Sequence, residues 1–277
     1  VMDRIRLIAS DMDATLLNEQ SQLPADFEET IHALAELGIR FAPASGRPLY
    51  TLEAMFPTLQ NELVFIGDNG GAIRWKGQNL FTSEMSPEGW RALNRLTREQ
   101  GDIAVLCGLE SAYVERPFAV HDAVLRHFYT KIEYVDRLED VTAPADKFTI
   151  YLPQHNAQQA YDTVYASQRS IYSVAVAGEC WVDIMNPGVH KGAALQTLGQ
   201  LWGLPSESIM AFGDTYNDAE MLQTVRYGFL MENGSEPLRQ KVPFLAPSHR
   251  EAGVMQVLHR VLAQNGCVCP EDFVPAH

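Results

Sequence analysis

The first part of the chain alternates short apolar runs with helical repeats. Ile5 to Ser10 is an apolar run that predicts a strand. Asp26 and Glu29 have capping-box spacing. Phe27, Ile31 and Leu34 then recur at helical spacing until Gly38, which predicts a helix ended by glycine. Ile39 to Ala44 and Leu63 to Ile66 are two more strand-length runs. Strands alternating with helices imply right-handed β-α-β units and a parallel sheet.

From about residue 82 the texture changes. Trp90, Leu93 and Leu96 mark a helix. Ile103 to Cys107, Ala112 to Val114, Lys147 to Leu152, Tyr172 to Ala177 and Trp181 to Met185 then read as strands, with one more helix at Ala157 to Tyr165. After Pro187 the first pattern returns. Helices are predicted at Lys191 to Trp202, Asn217 to Gln223 and Gly253 to Leu262, and strands at Ile209 to Phe212, Tyr227 to Met231 and Phe244 to Ala246. The expected architecture is α/β. Residues 1-82 and 188-277 form a Rossmann-like, doubly wound parallel sheet core, and residues 83-187 form an inserted α+β cap domain. A cleft between two such units is a common place for a small-molecule site.

Size and charge narrow this picture. The 277 residues, 46% of them hydrophobic, suffice for one large domain or two modest ones. The net charge of −14 disfavours nucleic-acid partners but admits a small anionic substrate if local cations reverse the sign. No apolar run approaches the roughly 20 residues of a membrane span. Val1 to Ser10 lacks the apolar core of a signal peptide, so no membrane partner and a cytoplasmic location are expected. Cys107, Cys180, Cys267 and Cys269 show no zinc spacing and read as reduced thiols.

Four short motifs fall at strand ends or at the helix starts that follow. Asp11 and Asp13 stand two apart directly after the first strand, a spacing that suits hard-metal binding and nucleophilic chemistry together. Ser45-Gly46-Arg47 follows the second strand and can bind a phosphate oxygen at a helix start, although a plain helix cap has the same appearance. Lys191 opens a helix, where its charge opposes the helix dipole unless an anion waits there; a solvated surface lysine is the plainer alternative. Gly213-Asp214-Thr215-Tyr216-Asn217-Asp218 follows the strand Ile209 to Phe212. Its glycine allows a sharp turn and Asp214 is placed to bind metal. In an open parallel sheet these ends share one crevice. There they could hold Mg²⁺ and a phosphoryl oxygen together.

In these motifs and their order the chain resembles the haloacid-dehalogenase-like hydrolases, and within them the Cof-type sugar-phosphate phosphatases. The resemblance runs over the whole chain and includes Gly67-Asp68-Asn69-Gly70-Gly71-Ala72 and Gly213-Asp214 through Met221-Leu222. It implies a phospho-aspartate mechanism with Mg²⁺. Asp11 would be nucleophile and metal ligand. Asp13 would be the general acid and base, with its backbone carbonyl on the metal. Asp214 would be the second metal carboxylate. Ser45, Lys191 and Asn217 would bind phosphate, with Asp218 orienting Lys191 or a metal-bound water, and Arg47 in support. The substrate would be a small phosphorylated metabolite. Two departures stand out. Ala14 replaces the family's usual glycine and costs little only where φ is negative; the turn is nevertheless expected to survive. Leu230-Met231-Glu232-Asn233-Gly234 stands where Ala-Met-Gly-Asn-Ala is usual. A phosphoryl-transfer mutase and a non-catalytic phosphometabolite-binding protein are the competing expectations.

Overall fold

The computed structural model describes residues 2–277. Nine strands form the larger sheet. Six are parallel, in the order Phe244–Ala246, Tyr227–Met231, Ile209–Gly213, Leu7–Asp11, Arg40–Ala44 and Val64–Gly67. Alternation along these strands separates two apolar layers. Ile8, Phe41, Met210, Phe212 and Phe229 face the helices Phe27–Glu36 and Gly253–Ala263. Leu7, Ala9, Ala42, Ala211 and Leu230 face the helices Lys191–Trp202 and Ala219–Gln223. Helices cover both faces, as the doubly wound expectation requires. Leu7–Asp11 and Ile209–Gly213 lie side by side, so Asp11 and Asp214 emerge together at the carboxyl edge.

Two features of this unit, one in the sheet and one at a helix start, differ from the sequence expectation. Val64–Gly67 is followed by an antiparallel hairpin, Ala72–Trp75 and Gln78–Thr82, which turns through Lys76 and Gly77, both at positive φ. Asp26 does not cap its helix. Its backbone is already near helical, at φ −96° and ψ 12°, and its carboxylate turns instead to His259 Nε2 at 2.7 Å.

Residues between the hairpin and Lys191 build a separate six-stranded sheet in the order Ser173–Ala177, Trp181–Met185, Ala145–Tyr151, Ile103–Gly108, Ala112–Glu115 and Ile132–Val135. All its pairings are antiparallel except the last. Trp90, Leu93, Leu106, Phe148, Ala160 and Ile184 pack the helices Pro87–Gln100 and Ala157–Asp162 on one face. Val105, Cys107, Leu125, Tyr129 and Trp181 form an apolar cluster on the other. The helix Asp122–Phe128 and the strand Ile132–Val135 were not legible in the sequence, because neither carries an unbroken apolar run. Two connections link the sheets, and Asn186 ties them: its Nδ2 donates to Ser83 Oγ at 3.0 Å and to the Glu84 carbonyl at 2.8 Å.

Candidate active site

The chain leaves its central strand at Asp11 and enters a wide turn, which the Leu17 amide closes by donating to the Met12 carbonyl at 2.9 Å. Ala14 sits in the left-handed region at φ 55°. The turn survives as expected, but not at the negative φ where alanine is cheap; a left-handed L-residue costs roughly 1–2 kcal/mol. Asn233 offsets part of that cost. Its Nδ2 donates to the Ala14 carbonyl at 2.8 Å, and its Oδ1 accepts the His249 amide at 3.0 Å. The altered segment around Asn233 therefore still braces the turn.

Lys191 enters from the start of its helix, where His190 Nδ1 caps by accepting the Ala193 amide at 3.0 Å. The Lys191 side chain is fully buried. Its Nζ donates to Asp11 Oδ1 and to Asp218 Oδ1, each at 2.7 Å. Asp218 Oδ2 accepts the backbone amides of Asp214 at 3.0 Å and Thr215 at 3.3 Å. A Cβ at position 213 would collide with the Asp218 side chain, so only glycine lets this loop fold back. Thr15 Oγ1 donates to Asp214 Oδ1 at 3.2 Å and lies 3.4 Å from Asp11 Oδ2.

Burial governs the titration of this group. It pushes Asp11 up to about 6; Lys191 pulls the other way and Asp214 adds to the rise. Asp218 also rises to about 6 through burial and Asp11, against the pull of Lys191. Burial raises Asp214 as well. For Lys191, burial alone would lower the value, but Asp11 and Asp218 outweigh it and hold the ammonium above its usual range.

Asp13 points to the open side, and Arg47 meets its carboxylate twice, Nη1 to Oδ2 at 2.8 Å and Nη2 to Oδ1 at 3.2 Å. Ser45 is buried, and its Oγ accepts the Arg47 amide at 3.1 Å. Asn217 is half-buried, with its side-chain oxygen accepting the Thr215 hydroxyl. Asp11, Asp13, Ser45, Arg47, Asp214 and Asn217 all line one cavity of about 520 Å³; Lys191 and Asp218 do not reach its wall. Oxygens of Asp11, Asp214 and Asp218 lie within 4.8 Å of one another. An all-carboxylate donor set fits a hard divalent cation. Asp218 is already taken up by Lys191 and two amides, so Asp11 and Asp214 have the lone pairs to spare. The Asp13 carboxylate stands outside this trio.

A family model for haloacid dehalogenase-like hydrolases matches residues 8–258. The chain belongs to this family. Within the haloacid dehalogenase-like hydrolases it is 32% identical over 262 residues to 5-amino-6-(5-phospho-D-ribitylamino)uracil phosphatase YbjI of Escherichia coli, covering 93% of this chain and 96% of that one. It is 31% identical to the HMP-PP phosphatase of Cronobacter sakazakii, covering 87% and 89%. The crystal structure of a Streptococcus mutans protein superposes with a TM-score of 0.85 at 28% identity, covering 94% of this chain and 99% of that one.

The far wall of the cavity comes from the six-stranded sheet and from the end of the helix Asp122–Phe128. Phe128, Tyr129 and Trp181 supply an aromatic surface, with ring centroids of Phe128 and Trp181 5.2 Å apart. Lys147 and Asp183 stand beside them. Sequence reasoning missed both. Their signal was a charged residue inside a strand otherwise fit for burial, in Lys147-Phe148-Thr149-Ile150 and in Val182-Asp183-Ile184.

Proposed function

We propose that this hydrolase is a Mg²⁺-dependent phosphatase that cleaves phosphate monoesters of small metabolites through a phospho-aspartate at Asp11. The observation that carries this reading is the Lys191 ammonium, which bridges Asp11 and Asp218 at 2.7 Å beneath the cavity floor. A phosphate dianion repels an attacking carboxylate, and a fixed cation beside the nucleophile lowers that repulsion. Asp11 and Asp214 would hold the Mg²⁺, with the Asp13 carbonyl. When bound, the ion neutralises charge on the non-bridging phosphoryl oxygens.

The chain's own groups then have separate tasks. Asp11 attacks phosphorus in line, forming its acyl phosphate as the ester oxygen leaves. Asp13 protonates that oxygen and afterwards takes a proton from the water that cleaves the phospho-aspartate. To do so it must come away from Arg47. Ser45 and Asn217 hold the phosphoryl oxygens. Thr15 keeps Asp11 and Asp214 in register. Residues 1-82 and 188-277 act as the catalytic core and 83-187 as a cap, hinged near 81-86 and 186-188 where Asn186 clasps the two connections.

The relatives' names describe phosphate on a ribityl chain borne by a uracil and on a second small metabolite. A similar leaving group suits the wall of Phe128, Tyr129 and Trp181. All four cysteines are free, the form that a reducing cytoplasm maintains. Hydrolysis of p-nitrophenyl phosphate with Mg²⁺ and with EDTA tests the proposal. Full activity in EDTA would remove the metal from the mechanism, and no hydrolysis under either condition would remove the phosphatase itself.

A further inference from the structure

Lys147 is a second fully buried lysine, contributed by the insert and directed at the core. Its Nζ donates to the Gly46 carbonyl at 2.6 Å. It lies 3.2 Å from Asp68 Oδ1 and 3.5 Å from Asp183 Oδ2. Asp183, also on the insert, accepts Asn69 Nδ2 at 2.9 Å and Thr149 Oγ1 at 2.5 Å. Asp68 and Asn69 run alongside the Ser45-Gly46-Arg47 turn. The Asp68 amide donates to the Arg47 carbonyl at 2.9 Å and the Asn69 amide to the Ser45 carbonyl at 3.0 Å. The carbonyls of residues 45, 46 and 47 are thus all held, and the middle one is held only from the insert.

Packing alone does not explain this charge. Apolar side chains in place of Lys147, Asp68 and Asp183 together would fill the space without desolvating an ammonium and two carboxylates, and such whole-group replacements are often neutral or stabilising. The hydrogen bond goes instead to the turn that carries Ser45. A flexible glycine stands at its centre, and there a charge-assisted bond to the carbonyl fixes the peptide plane on which the direction of the Arg47 amide and the Ser45 hydroxyl depends.

We propose that Lys147 is a positioning residue for hydrolysis, fastening the phosphate-holding Ser45-Gly46-Arg47 turn so that it reaches working geometry only with the insert docked. The proposal rests on the phosphatase reading above. It makes assembly of the phosphate site conditional on docking: lifting the insert takes the Gly46 carbonyl's partner away and takes Asp183 from Asn69. Water reaches the loosened turn at the moment when product should leave.

The test is Lys147→Met, which keeps length and removes the donor and the charge. Turnover of p-nitrophenyl phosphate, inhibition by orthovanadate, the Mg²⁺ concentration for half activity and calorimetric titration with inorganic phosphate are compared with the parent, with circular dichroism to confirm the fold. The expected result is a loss of at least about tenfold in kcat/KM and a weakening of orthovanadate and phosphate binding by a similar factor, with the Mg²⁺ requirement unchanged within about twofold. A folded variant whose anion binding and kcat/KM stay within about twofold of the parent overturns the proposal. If the single variant does not fold, Lys147→Met with Asp183→Asn removes the ammonium and one of its two carboxylates and faces the same two outcomes. Phosphate titration needs no turnover, so it judges the turn even if the phosphatase reading fails. Parent-like hydrolysis by Asp11→Asn would sink that reading separately.

Discussion

Lys191 and Asp11 are 180 positions apart in the chain and 2.7 Å apart in space, with the lysine almost entirely removed from solvent. Burying an ammonium is costly unless partners answer it, and here two carboxylates do, one of which is the proposed nucleophile. The pair sits between two adjacent parallel strands and the start of a helix. The fold thereby delivers Asp11, Asp214 and Lys191 to one point.

Asp11→Asn should fold normally and lose more than about 10⁴-fold in turnover, because a neutral amide is a poor nucleophile. Asp13→Asn should lose at least about 100-fold, the lower end of a general acid and base contribution. Initial rates on p-nitrophenyl phosphate with saturating Mg²⁺ decide both. An Asp11 variant within tenfold of the parent would end the phospho-aspartate mechanism.

Lys191→Met should harm stability as well as activity. It leaves Asp11 and Asp218 buried without their shared cation, a loss of about 3–5 kcal/mol. Adding Asp218→Asn removes one orphaned charge and should recover part of the stability but none of the activity. Urea midpoints and rates on both variants check this. Recovery of turnover in the double variant would mean that Lys191 serves only folding.

How much of this was legible beforehand follows from where the information lies. The parallel strands announce themselves because both faces are buried, as in Leu7-Ile8-Ala9-Ser10. Asp11, Lys191 and Asp214 are readable because they sit at the ends of such strands or at helix starts. In the hairpin after Val64–Gly67 the first strand, Ala72–Trp75, is short and carries a buried arginine, and the second, Gln78–Thr82, is exposed or half-buried throughout, so no strong pattern marked it. Lys147 and Asp183 were hidden for a different reason. Their meaning depends on contact between two sheets, and nothing local in the sequence says which carbonyl or carboxylate will lie opposite.

Proton release should accompany Mg²⁺ binding. Burial first, and Asp214 after it, raise Asp11 from its ordinary 3.8 to about 6 in the metal-free protein. The fold thus favours the protonated form. That contribution is full below 3.8 and is lost as pH rises through about 6, so metal-free stability should fall across this window. Mg²⁺ needs the ionised form, and below about 6 its apparent affinity should drop about tenfold per pH unit for one displaced proton. Thermal unfolding with and without Mg²⁺ at pH 5 and pH 7 measures it. An equal Mg²⁺-induced shift at both values would contradict the assignment of Asp11 as a ligand.

Ala14→Gly should be slightly stabilising. Relief of the left-handed strain at φ 55° returns roughly 1–2 kcal/mol, and the greater freedom of unfolded glycine takes back roughly 0.5–1. The expected net gain is about 0.5 kcal/mol, with activity retained. Denaturant midpoints resolve the sign, and a clear loss of stability would show that Asn233 and the neighbouring bonds hold Ala14 without strain.

The aromatic wall makes the last prediction. Phe128 is half-buried, lines the cavity and packs edge-on against Trp181, with centroids 5.2 Å apart and planes at 67°. It is the most dispensable of the three rings for folding, since Tyr129 and Trp181 are both buried in the insert's own cluster. Phe128→Ala should therefore cost less than the roughly 3–5 kcal/mol of a fully buried ring and leave the Mg²⁺ requirement unchanged. Its effect belongs to the leaving group. A planar ring against this wall gains roughly 0.5–1.5 kcal/mol beyond simple burial, and a small sugar phosphate gains little of it. The variant should thus lose up to about tenfold in kcat/KM on phosphoesters that carry an aromatic or heterocyclic group, and much less on hexose phosphates. A panel of both kinds, assayed by phosphate release, separates selection from damage. Equal losses on both would mean that Phe128 supports the insert without choosing the substrate, and a larger loss on hexose phosphates would assign the wall to sugar binding.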